Sequence, residues 1–202
     1  MKFNPDNPFF RFINTLTAFI GLNVMFLITC LPIVTIGAAI TALYGTTLKY
    51  VENDSTYLFR TYWKTLKTNF LRSTAGFLIF AVAGFVIGYN LIFWHSMKSG
   101  ISYVFFPLFI IVAIVIVLMF MYFFPLQARF QTSFKQTWKN SLLLPIASFK
   151  ETLIIILITI AAVTLAVFST AFRVLFIIFG IAFVAYCESF FYARAFKKFQ
   201  NN

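Results

Sequence analysis

Few side chains in this sequence could do chemistry, and their spacing argues against a reaction. His95 is the one histidine and stands in a short polar turn, His95-Ser96-Met97-Lys98-Ser99-Gly100, with no Ser, Cys or acidic partner at a spacing that would make a nucleophile triad. It reads as a solvated interfacial imidazole. There is no HExxH helix and no Gly-rich phosphate loop ending in Lys and Ser or Thr. Cys30 and Cys187 lie inside apolar runs without metal-ligand spacing and read as buried thiols. The expectation is a protein that is not an enzyme, with no catalytic, cofactor-binding or metal site.

Glu188 is the exception to an otherwise inert pattern, being the one acidic residue within an apolar span. A carboxylate at mid-membrane costs about 2.5–3.5 kcal/mol on insertion scales, so it is expected to be paired or near the surface. It precedes Arg194 by about two helical turns, and a structural pair with Arg129 or Arg194 is the first expectation. Proton or substrate coupling is the rival reading. Asn23 and Asn90 are the other polar side chains placed within apolar spans.

The elements carrying these residues belong in a bilayer. The chain of 202 residues is 61% hydrophobic and 10% charged, with 30 phenylalanines, too apolar to be covered in water. The formal charge of +11 does not point to nucleic acid, because Lys and Arg are confined to short segments between apolar runs and no binding motif is present. Such segments stay on the cytoplasmic side and suit anionic headgroups. The first apolar run exceeds a signal peptide's core and lacks a small-residue cleavage site, so it is expected to be retained.

In order, an irregular lead over 1–11 precedes an uncharged run from Phe12 to Leu31, which Pro32 interrupts. The run resumes behind Gly37, Ala38 and Ala39, small residues that permit close helix packing. A single helix from Phe12 to Tyr50 would be almost twice the bilayer thickness, so Pro32–Gly37 is expected to turn the chain back. The returning arm is short enough to be re-entrant. Loop charges put this turn toward the outer face.

Beyond a turn at Asn53-Asp54-Ser55, Phe59, Tyr62, Trp63, Leu66 and Phe70 recur at helical spacing, with Arg60, Lys64 and Lys67 elsewhere on the helix. Spans follow at Ala75–Trp94, where Gly76, Gly84 and Gly88 are expected at close contacts, and at Tyr103–Phe124. A second basic stripe of Phe130, Phe134, Trp138 and Leu142, with Lys135 and Lys139, ends at Pro145. Thr152–Phe172 and Val174–Phe191 complete the spans, joined by a tight turn about Arg173.

The predicted fold is an all-α polytopic integral membrane helical bundle of five hydrophobic segments. The first is split at Pro32 into a hairpin, giving about six crossings, and two cytoplasmic amphipathic helices are added. The chain forms a single membrane domain over 1–202, divided into a hairpin (1–58) and two similar blocks (59–124 and 130–194). Both termini are expected in the cytoplasm of a bacterial cell. The two amphipathic segments, marked by Trp63, Lys64, Lys67, Phe134, Lys135 and Trp138, read as bilayer anchors and as docking elements for a partner.

The stretch Leu31-Pro32-Ile33-Val34-Thr35-Ile36-Gly37-Ala38-Ala39, with Thr41, Ala42, Leu43 and Tyr44 behind it, resembles the characteristic motif of the YesL-like family of small bacterial integral membrane proteins. The lead with Asn7, Pro8 and Phe12, the basic 59–72 helix and the span order extend the resemblance along the chain. The family is largely a domain of unknown function whose members commonly neighbour genes for carbohydrate ABC importers and glycan-degrading enzymes. The resemblance therefore implies an auxiliary role in sugar uptake, as a non-catalytic accessory subunit that binds the importer's permease subunits. It transfers no catalytic residue. It marks Pro32, Thr35, Gly37, Ala38, Ala39, Thr41 and Tyr44 as a structural or docking site.

Two alternatives remain open on the sequence. One is a small standalone transporter with a path lined by Asn23, Asn90 and Glu188, although only Leu144-Pro145 resembles the cytoplasmic coupling loop of ABC permeases. Gln127 and Thr132 stand where that loop has its acidic residue and glycine. The other is a membrane scaffold unconnected with sugar.

Overall fold

The structure is a computed structural model that describes residues 8–52, 57–97, 100–130 and 132–200, and side chains between residues 15 and 199. The lead over 1–7, the Asn53-Asp54-Ser55 turn, and Lys98 and Ser99 lie outside the described residues. All the described regular structure is helical. Lipid offers no partner for backbone N–H and C=O groups, and helices satisfy these groups locally.

Helix α1 (Pro8–Cys30) stops where Pro32 removes a backbone donor, and a 3-10 turn over Ile33–Thr35 leads into α2 (Ile36–Glu52). Thr35 fastens the turn, its hydroxyl lying 2.5 Å from the Thr29 carbonyl and 2.7 Å from that of Pro32. The two helices run back on each other, since Thr15 near the start of α1 meets the Tyr50 hydroxyl near the end of α2 at 3.4 Å. The hairpin expected at Pro32 is therefore present.

Side-chain contacts fix the level of this hairpin along the next helix. Helix α3 (Leu58–Ser96) is unbroken for 39 residues, about 58 Å, because no proline interrupts it. Thr41 on α2 donates to the Ser73 hydroxyl at 2.8 Å, and a Cβ placed on Gly37 would stand 2.5 Å from both the Ser73 carbonyl oxygen and Phe77 Cβ. The Pro32 turn thus lies beside the middle of α3. Beyond Phe77 that helix runs on for about 28 Å, so the turn does not reach its far end.

Helix α4 (Ser102–Arg129) returns antiparallel to α3 and contains Pro107 and Pro125. Helix α5 (Phe134–Ala147) begins at Ser133, whose side chain accepts from the Gln136 amide. It yields at Ser148 to α6 (Phe149–Phe168), which turns at Ser169 into α7 (Thr170–Leu175). A π-helical turn over Phe176–Gly180 joins α7 to α8 (Ile181–Gln200). The chain turns back at Ser169, four residues before the expected Arg173, whose guanidinium instead donates back to the Ala166 and Val167 carbonyls left free at the end of α6.

Four stretches are long and apolar enough to cross a membrane: Leu58–Ser96, Ser102–Arg129, Phe149–Phe168 and Thr170–Phe199. Thr15–Cys30 is a shorter apolar helix. The chain is an all-α polytopic bundle.

The two amphipathic segments, expected in similar blocks, join their spans differently. Residues 59–72 form the first third of α3, continuous with the following span, whereas α5 runs through Pro145, where the stripe was expected to end, and is separated from α6 at Ser148. The glycines also divide. Gly76 faces the Phe123 ring closely, but nothing lies within 4 Å of a Cβ built on Gly84 or Gly88, so these two do not mark contacts within the chain.

Candidate functional site

Glu188 is 3% exposed and lies among α2, α6 and α8. Tyr44 donates its hydroxyl hydrogen to Glu188 Oε2, and Thr159 donates to Oε1 at 2.7 Å. The expected pairing with arginine does not occur. Arg129 forms an ion pair with Glu52 near the end of α2, and Arg194 lies over the Phe191 ring, 5.6 Å from its centroid. The reason is position: Glu188 points inward from α8, where only hydroxyls of adjacent helices reach it.

Around the carboxylate, aromatic rings and hydroxyls are interlocked. Tyr192 packs edge-to-face on Tyr44 at 5.4 Å and on Tyr122 at 5.2 Å. Its hydroxyl donates to the Met121 carbonyl at 3.0 Å. Pro125, four residues on, lacks the N–H that would bond this carbonyl in a regular helix, so Tyr192 supplies the donor that proline removes. Tyr122 meets Thr152 at 2.7 Å, and Thr47 meets Ser189 at 2.7 Å.

Glu188, Tyr44 and Thr159 line an apolar pocket of about 270 Å³. Phe26, Leu43, Phe120, Phe124, Val163 and Ala185 are among its walls. The π-turn borders it through Phe176, and Ile181 follows at the same edge. A π-turn shifts the backbone bonding pattern and leaves groups unmatched, and such turns occur frequently at functional sites. Asn23 serves this one: its amide nitrogen donates to the Ile177 carbonyl at 2.6 Å, and its oxygen accepts from the Ala182 amide at 3.0 Å.

The three polar residues expected within apolar spans thus have separate fates. Asn23 and Glu188 flank the same region of α8, while Asn90 is bonded to Val86 within its own exposed turn of α3, at 2.8 Å. They do not line one path. Of the motif residues, Gly37 and Thr41 pack against α3, Ala38 and Ala39 are buried, and Tyr44 holds the carboxylate, so these positions serve packing within the chain. Pro32 and its neighbours stay outside, with Leu31 79% and Ile33 73% exposed.

The basic segments meet at one end. Arg72 donates to the Thr132 carbonyl at 3.2 Å, tying α3 to the entry of α5, and the Arg129–Glu52 pair ties α4 to α2. Lys64, Lys67 and Lys135 are exposed, as is Trp63. Trp138 and Phe134 are half-buried against the spans: Trp138 stacks on Phe80 at 4.6 Å, and Phe134 packs on Phe123 at 6.0 Å.

Thr159, Tyr122 and Tyr192 escape sequence reasoning because a Thr or Tyr in an apolar run is ordinary. The nearest signal is Pro125, which announces an orphaned carbonyl at Met121. Among the described residues no group of three or more His, Cys, Asp and Glu side chains comes together.

No curated protein and no solved structure shows significant similarity to the chain. Residues 19–91, which carry the second half of α1, the Pro32 turn, α2 and most of α3, are similar to a family described as a protein of unknown function, DUF624.

Proposed function

We propose that the protein is a non-catalytic accessory subunit of a bacterial carbohydrate ABC importer, binding the importer's membrane-spanning permease subunits. The importer assignment rests on the resemblance of the Leu31–Ala39 motif to YesL-like proteins. The observation that carries a docking role is the joined basic end, where α3 and α5 are tied through Arg72 and Thr132 and present Lys64, Lys67 and Lys135 to solvent. Such a platform favours acidic partner surfaces and anionic headgroups. By the positive-inside rule this end faces the cytoplasm of a bacterial cell, with both chain termini on the same side. Lipid covers the apolar flanks.

Co-purification at native expression level tests the assignment. Tagged protein is expected to recover permease and ATPase subunits of a sugar importer, and Lys64→Glu with Lys67→Glu and Lys135→Glu to reduce that recovery at least fivefold without altering its own membrane level. Recovery of neither subunit sinks the proposal. A standalone transporter is the second reading, favoured by the position of Glu188 at a pocket. Flux of solute by the purified protein alone in liposomes, abolished by Glu188→Gln, supports that reading over the first.

A further inference from the structure

The pocket at Glu188 continues into a second space. Between α4 and α6 runs an apolar cleft of about 440 Å³, lined by Ile110, Ile114, Val117, Ile156 and Ile160. Met121 and Thr159 line both the cleft and the Glu188 pocket, so the two adjoin. The cleft opens sideways, since Ile114, Val117 and Ile160 are each more than half exposed on helices apolar enough to face lipid. From Ile110 to Met121 along α4 is about 16 Å. That is close to half the thickness of a hydrocarbon core, about 15 Å, and so to the length of one lipid chain.

At the inner end the carboxylate has acceptor capacity to spare. Two oxygens offer about four lone-pair sites. Tyr44 gives one hydrogen, and the single hydrogen of Thr159 is shared between Glu188 Oε1 at 2.7 Å and the Ile155 carbonyl at 2.9 Å. A carboxylate surrounded by apolar side chains is stabilised by a positively charged donor, and charge-assisted hydrogen bonds are about twice as strong as neutral ones. An anionic head is repelled at the same place.

We propose that this cleft binds a single-chain membrane amphiphile with an ammonium head, the chain lying between α4 and α6 and the head hydrogen-bonded to Glu188. The ligand enters from the bilayer. The site is independent of the docking role proposed above, so failure of either leaves the other standing.

The test is equilibrium binding of radiolabelled dodecylamine to the full chain in phosphatidylcholine nanodiscs, with empty discs subtracted and dodecanol and dodecanoate run in parallel. Saturable binding of about one dodecylamine per chain is expected, at least tenfold tighter than dodecanol and with dodecanoate not bound above background. Glu188→Gln is expected to weaken dodecylamine at least tenfold and leave dodecanol unchanged. Val163→Trp, which fills the pocket from its exposed rim and retains the carboxylate, is expected to remove binding of both. The proposal is overturned by non-saturable uptake, by equal affinity for amine and alcohol, or by retention of binding in Val163→Trp. That last variant decides the matter if Glu188→Gln does not fold.

Discussion

Tyr192 and Pro125 form a pair that neither residue explains alone. The proline leaves the Met121 carbonyl without its helical donor, and the tyrosine hydroxyl replaces it at 3.0 Å. Tyr192→Phe is therefore expected to cost about 1–3 kcal/mol, the penalty for stranding a buried acceptor. Most of that loss should vanish in a Pro125→Ala background, where the backbone N–H can reach Met121 again. Reversible unfolding in mixed micelles measures both, and additive losses would show that the two residues are uncoupled. Asn23 makes a similar case at the π-turn. Asn23→Leu removes the bonds to Ile177 and Ala182 and is expected to cost about 1–3 kcal/mol by the same measurement, whereas Asn90→Leu, bonded only within its own exposed turn, should be near neutral.

Among the elements, the contact of α2 with α3 is set by small residues. Gly37→Leu would drive a side chain into the Ser73 carbonyl and the base of Phe77, contacts that backbone cannot easily yield. It is expected to destabilise by more than about 2 kcal/mol, as overpacking does at its upper range. Gly84→Leu, with open space around its Cβ, should be neutral within about 0.5 kcal/mol. The same unfolding assay reads both, and equal effects would contradict the packing described. The continuity of α3 is tested separately. Spin labels at Lys64→Cys and Ile92→Cys, with Cys30 and Cys187 replaced by Ala, lie 28 residues apart on one helix and should be separated by about 42 Å. A bend near Arg72–Ala75 that laid the basic segment along the membrane surface would shorten this distance by several ångströms or more.

For the whole molecule, the long α3 exceeds the hydrocarbon core of about 30 Å nearly twofold. Arg60, Lys64, Lys67 and Arg72 are exposed over its first third, so the uncharged remainder is the part that lies in lipid. If that remainder spans the hydrocarbon, the Pro32 turn, level with Ser73 and Phe77, is expected near the boundary on the basic side rather than at the opposite face. An impermeant maleimide should label His95→Cys from one side and Lys64→Cys from the other in the cysteine-free background. Thr35→Cys should resist labelling from the His95 side. Modification of Thr35→Cys and His95→Cys from the same side would refute this depth.

The sequence alone determines class and most helix positions, because both follow from local quantities. Runs of apolar residues must be helical in lipid, Pro32 must interrupt one of them, and basic segments must stay together outside the hydrocarbon. The hairpin at Pro32 and the small-residue face at Gly37–Thr41 were legible for that reason. Continuity through Arg72–Ala75 was less so, since amphipathic and apolar stretches carry different periodicities yet nothing between them breaks a helix. What only the tertiary structure decides is which distant groups meet. Tyr44 lies 144 residues from Glu188 and Thr159 lies 29 from it, so composition and spacing pointed to nearby arginines on a charge argument while packing delivered hydroxyls. Depth was equally hidden, because the level at which α2 docks on α3 depends on Gly37 fitting against Ser73, a steric match between surfaces that hydropathy does not record.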